Sequence, residues 1–182
     1  MKVVMLFADG FEDVEAIATR DVLVRAGIEV VDVKIDENKQ IVNSSHKMSL
    51  TDFLDIKNVN VEEYSAIILP GGSRGVNNLL GSSEVDRLVQ EFYNADKYVC
   101  AICAAPMVLG QNGLLKDRPF TCYPGCEAGL DGLYNGEELV VSDKIVTARS
   151  MLFSIPFGLK IVELLVGKDI SDKVERQIAG LR

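Results

Sequence analysis

The sequence holds no apolar run near the ~18 residues that a bilayer span requires, so no membrane segment is expected. It has no Lys/Arg cluster either. With 19 basic against 27 acidic residues and a net charge of -8, the surface repels polyphosphate, which excludes nucleic acid as an expected partner. Long polar tracts, internal repeats, linkers and extended heptads are missing, which excludes disorder, solenoids and coiled coils. The N-terminal stretch runs from one Lys through a short apolar run into acidic residues, with no small-residue cleavage site. It reads as a strand and not as a secretory signal, so a cytoplasmic protein is expected. Its four cysteines, at 100, 103, 122 and 126, are then expected as free thiols in a reducing compartment.

With 48% apolar and 25% charged residues, residues 1–182 suit a single domain with a full core. Short β-branched runs bounded by Gly, Pro, Asp or Asn predict buried strands at Val3–Ala8, Ile28–Ile35, Ala66–Leu69, Tyr98–Ile102 and Lys144–Ala148. Helical spacing falls between several of them. Val14, Ile17, Ala18, Val22 and Ala26 form one apolar stripe that Gly27 ends. Strand–helix alternation predicts a mostly parallel sheet covered by helices on both faces, with ligands outside the carboxyl ends of the strands. Gln40–Leu50 and Glu138–Ala148 each place a polar turn between extended pieces, which predicts hairpins or edge strands. Helices are expected over Met151–Val166 and, with Ser171 at its start, over Asp169–Leu181.

Chemistry concentrates in three segments. In Tyr98–Gly110 an apolar strand runs into small residues and a helix, with Cys103 at the junction. This is the arrangement that holds a nucleophile on a tight turn above a sheet, and a helix start would depress the thiol pKa. The plain alternative is an inert core thiol. A second strand ends in Pro70, Gly71 and Gly72, whose N–H groups could form an oxyanion pocket with those around Cys103 and Ala104. Taken alone, this is an ordinary glycine turn. The third segment follows the first strand. Helix-dipole preference accounts for Glu12 and Asp13, whereas Glu15 partly faces the sheet and can reach the site rim as a proton carrier. A four-thiolate zinc site from Cys100, Cys103, Cys122 and Cys126 is disfavoured because Cys100 lies inside a buried strand. No metal ligands are therefore assigned, and Cys122 and Cys126 are accessory or resolving thiols in a loop.

At these segments the chain resembles the ThiJ/PfpI superfamily, and within it the subfamily of the parkinsonism-associated protein deglycase. The matching stretches are Gly10-x-Glu-x-x-Glu15, Leu69-Pro-Gly-Gly-x-x-Gly75-x-x-Asn78-Leu and Ala101-Ile-Cys-Ala-x-Pro106. The resemblance implies a flavodoxin-like three-layer α/β sandwich with a small β-hairpin, in one class I glutamine amidotransferase-like domain, usually as a homodimer. It also implies Cys103 as nucleophile, Glu15 as the acid bonded to its sulfur, and Gly72 with Ala104 as oxyanion donors. Departures narrow the activity. Ala104 stands where protease-like relatives carry a His, and the one histidine, His46, lies far upstream of Cys103, so neither a protease nor a Cys-His-Glu triad is expected. Tyr123 occupies the place of a subfamily His, and Arg149-Ser-Met-Leu replaces an Arg-Gly-Pro-Gly stretch. By the resemblance, His46 falls near a position that reaches the pocket across the dimer interface; on its own it is a surface His.

Two functions remain open at this point. One is a cofactor-free, cysteine-dependent enzyme on reactive carbonyls, converting methylglyoxal to lactate or removing its early adducts. The other is a redox-sensing stress protein or chaperone switched by oxidation of Cys103.

Overall fold

The computed structural model describes residues 1–181. Its strands and helices follow one another as β1 (Lys2–Phe7), α1 (Asp13–Arg25), β2 (Glu29–Lys34), β3 (Val42–Asn43), β4 (Ser49–Leu50), β5 (Leu54–Asp55) and β6 (Ala66–Leu69). There follow α2 (Ser73–Leu80), α3 (Ser83–Asn94), β7 (Tyr98–Ile102), α4 (Pro106–Gln111), β8 (Pro119–Phe120) and β9 (Leu133–Tyr134). The last elements are β10 (Leu139–Ser142), β11 (Ile145–Ala148), α5 (Ser154–Val166) and α6 (Lys168–Ile178).

Seven strands form one sheet in the order β10-β11-β7-β6-β1-β2-β5, parallel throughout except for the β10–β11 pair. The five expected strands are present within a residue or two of their expected ends. Strand alternation splits the core in two. Val4, Leu6, Val99 and Ala101 pack on one face against α2, α3 and α4. Val3, Met5, Cys100 and Ile102 pack on the other against α1, α5 and α6. The result is the flavodoxin-like three-layer sandwich. Both hairpins form, β3 with β4 and β10 with β11, the latter turning at Asp143 with φ 57°.

The stripe expected on α1 is corrected. Glu15, Ala16, Thr19, Val22 and Leu23 are buried, while Val14 and Ile17 are 45% and 38% exposed. Contact with α5 decides the face. A Cβ on Gly158 would lie 2.9 Å from Val22 Cβ, so the two helices meet where α5 has no side chain. Ser171 does not open the last helix either. Gly167, with φ 99°, precedes α6, and the Ser171 hydroxyl donates to Leu159 O at 2.8 Å, tying α6 to α5.

Candidate active site

The parallel strands β1, β6 and β7 lie side by side and end together, which brings three distant segments into one place. Cys103 sits where β7 stops. Its φ of 63° is left-handed, a conformation that costs a non-glycine residue about 1 kcal/mol. Main-chain bonds impose it. The Cys103 N–H donates to Ala148 O at 2.9 Å, its carbonyl accepts from Tyr123 N–H at 2.8 Å, and Ala105 N–H closes the turn on Ile102 O at 3.0 Å.

The loops after β1 and β6 cross at backbone distance. Glu12 N–H donates to Gly71 O at 3.0 Å, and Gly75 N–H donates to Gly10 O at 3.1 Å. A Cβ on Gly72, whose φ is 95°, would lie 2.4 Å from Gly10 O, so this crossing excludes a side chain. A Cβ on Gly71 would lie 2.4 Å from Glu15 Oε2 and 2.8 Å from Cys103 Cβ. The carboxyl and the cysteine are thus neighbours across a missing side chain.

Glu15 is 1% exposed on the first turns of α1, where the Glu12 carboxylate caps the helix by accepting from Glu15 N–H at 2.7 Å. Its Oε2 accepts from Gly71 N–H at 2.8 Å. Among the described residues the buried Oε1 has no hydrogen-bond partner, and the Cys103 thiol is the neighbouring group that acts on the carboxyl. Burial first, then the charge of Glu12, push the Glu15 carboxyl up to about 7, against hydrogen bonds from Cys103 and Gly71.

The expected depression of the Cys103 thiol is corrected in direction. Burial first, and then the charge and hydrogen bonding of Glu15, push it above the usual thiol range, while the N–H groups of Ala104 and Gly72 pull the other way. Two acids share one desolvated place, so they part with their protons in two well-separated steps. Below about pH 7 Glu15 is protonated and no charge opposes a thiolate; above it the two repel.

The structure therefore gathers Cys103, Glu15, Gly71, Gly72 and Ala104. One expected role changes. The Gly71 N–H is spent on Glu15, which leaves Gly72 and Ala104 as the donors directed at sulfur. Tyr123 takes part through its backbone, while its side chain points outward and the residue is 51% exposed. His46 is not brought to the thiol. It sits at the β3–β4 turn, its ring Nδ1 2.9 Å from Asp13 Oδ2, with 76% of its side chain exposed. Glu12, Asp13 and His46 each place a potential ligand atom within 4.8 Å of the others, yet the carboxylates already serve the fold. Glu12 caps α1, and Asp13 accepts from the Ser44 hydroxyl and from His46 N–H. Composition offered no sign of Ala148 and Ser44 as supports, because each acts through a long-range bond.

Fold and site define a class, the α/β sandwiches that carry a cysteine on a strand-to-helix turn and face it with a buried glutamate. The chain belongs to the DJ-1/PfpI family, whose profile matches residues 1–164. It is similar to Protein dj-1beta of Drosophila melanogaster, 32% identical over 180 residues that take in 97% of this chain and 94% of that one. It is also similar to the glutathione-independent glyoxalase DJR-1.2 of Caenorhabditis elegans, 28% identical over 168 residues, 91% of this chain and 89% of the relative. Among solved structures, oxidized DJ-1 of Toxoplasma gondii matches with a TM-score of 0.90 at 32% identity, over 98% of this chain and 97% of that one.

Proposed function

We propose that the protein is a cofactor-free enzyme acting on reactive carbonyls such as methylglyoxal, or on their early adducts, with Cys103 as nucleophile. The observation that carries this reading is the single place shared by the Cys103 sulfur, the buried Glu15 carboxyl and the N–H groups of Gly72 and Ala104 that act on the sulfur. The sulfur adds to the aldehyde carbon, and the resulting oxyanion accepts from Gly72 and Ala104 N–H. Glu15 takes the proton from that carbon and returns it to the neighbouring carbonyl carbon, while the proton released by the thiol ends on that carbon's oxygen, which leaves a thioester of a 2-hydroxy acid. Water hydrolyses the thioester, releasing lactate and the thiol. A carboxyl near 7 suits a group that must both take and give a proton at neutral pH. Similarity to the C. elegans glyoxalase supports the same chemistry. Lactate formation from methylglyoxal, compared in wild type and Cys103→Ala, tests it; equal turnover in both would remove Cys103 from the reaction.

Similarity to the oxidized form of T. gondii DJ-1 favours a second reading, in which peroxide converts Cys103 to a sulfinic acid that Glu15 stabilises. Activity or client binding that arises only after peroxide treatment distinguishes it. We also propose a homodimer in the cytoplasm. The exposed apolar residues Val14, Ile17, Met48, Met151, Leu152 and Ile155 support a self-association surface along α1, the β3–β4 hairpin and the start of α5. No helix among the described residues is long and apolar enough to cross a membrane. A concentration-independent monomer in sedimentation would overturn the dimer.

A further inference from the structure

The loop after β8 carries two thiols that the chemistry at Cys103 leaves unused. Cys122 is fully buried in the core face that includes Leu109 and Phe120, and half-buried Cys126 packs against the same cluster. Between them lies a turn, closed by Cys126 N–H donating to Tyr123 O at 2.9 Å and eased by Gly125 at φ 96°. That turn holds Tyr123 and Cys126 within about 7 Å, and Cys122 directly precedes it. Glu127 folds back over it. Its Oε2 accepts from Gly125 N–H at 2.6 Å and from the Cys122 thiol at 4.0 Å. Burial, followed by the charges of Cys126 and Glu127, pushes Cys122 up to about 12, so the two sulfurs feel one another. The groups acting on Cys103 are Glu15, Ala104 and Gly72, not these thiols.

We propose that Cys122 and Cys126 form a second redox centre, an intrachain dithiol that a hydroperoxide converts to a disulfide and that acts on Cys103 through Tyr123. The more accessible Cys126 sulfur attacks the peroxide. An S–O bond forms as the O–O bond breaks, the sulfur gives up two electrons, and water or an alcohol leaves. Cys122 then attacks the Cys126 sulfenic acid. The S–S bond forms, and hydroxide departs with the Cys122 proton, relayed by Glu127, as water. Thr121 anchors the upstream end, through its N–H to Thr147 Oγ1 at 3.0 Å and its hydroxyl to Glu137 O at 2.6 Å. Bridging therefore displaces the turn, and with it the Tyr123 N–H that holds the Cys103 carbonyl.

The test treats wild type and Cys103→Ala with hydrogen peroxide, then iodoacetamide, then trypsin. Trypsin does not cut Arg118–Pro119, so Asp117–Lys144 stays one peptide holding both thiols. The expected result in both proteins is a peptide lighter by two hydrogens, unalkylated, and restored by dithiothreitol. Half-exposed Cys126→Ser, the gentler substitution, should show no such loss, and Cys122→Ser should let Cys126 run on to the sulfinic acid. Wild-type protein in which Cys126 becomes a sulfinic acid beside an alkylatable Cys122, or in which Cys126 bridges to Cys103, overturns the proposal. Iodoacetamide labelling of Cys103 should differ in rate between bridged and reduced wild type; identical rates overturn the link through Tyr123.

Discussion

Cys100 and Cys103 lie three residues apart on one strand and its end, and they differ in the groups that surround the sulfur. Both thiols are pushed upward by burial. Cys100 has burial alone as its cause, is fully enclosed between the sheet and the α1/α5 layer, and meets no charge or donor. Cys103 has left the ladder and meets a carboxyl and two N–H groups. The strand ending, not the thiol, confers the chemistry.

Removing each sulfur in turn puts this contrast to its severest test. Cys103→Ala should abolish lactate formation, whereas Cys100→Ala should retain it and cost about 1 kcal/mol of stability from a small core vacancy, read by denaturant melts. Next in size is Gly72→Ala. Its Cβ would meet Gly10 O at 2.4 Å with φ at 95°, so a loss of roughly 3 kcal/mol or a misfolded site is expected, again by denaturation.

Glu15→Gln should show the cost of the shared place. In the folded protein the Glu15 carboxyl is raised from 4.5 to about 7, so the native state holds this proton more tightly than the unfolded chain. Its contribution to stability is greatest below pH 4.5, declines up to about 7 and is level above. The Gln variant should lack that decline and gain up to about 3 kcal/mol at pH 8 relative to wild type. In Glu15→Leu, loss of the charge and hydrogen bond that push the thiol up should shift the onset of thiolate absorbance at Cys103 to lower pH. A shift to higher pH would show that a protonated Glu15 donates to the thiolate instead. Smallest of all, Tyr123→Phe should change turnover and stability by less than about 0.5 kcal/mol, since the contact to Cys103 is made by its N–H.

The strands were legible because β-branched runs flanked by turn residues have few other uses, and the Cys103 turn because small residues follow a strand directly. Glu15 was legible as a reaching acid. The buried face of α1 was not, because Gly158 on a helix far along the chain selects it. Nor was the direction of the thiol shift. Helix position suggests a lowered value, but burial and a carboxyl across Gly71 outweigh it, and both arise only when three chain segments converge. The ring contact of His46 with Asp13, which Ser44 also bonds, was likewise not legible, since it joins residues 33 positions apart.

The stitches around Gly10, Gly71 and Gly72 have a consequence for tolerance to change. Gly10 N–H reaches Asn43 O at 2.7 Å, Ser45 N–H reaches Phe11 O at 2.8 Å, and Glu12 N–H and Gly75 N–H complete the seam between the loops. Main-chain bonds of this kind do not depend on side-chain identity, although Gly10 at φ 88°, buried Phe11 and the capping Glu12 restrict substitution within the seam. Its register depends on residue count. Deleting or inserting one residue there would slide every stitch, swing Glu15 out of line with Cys103, and silence the site while the sheet beneath it stays folded.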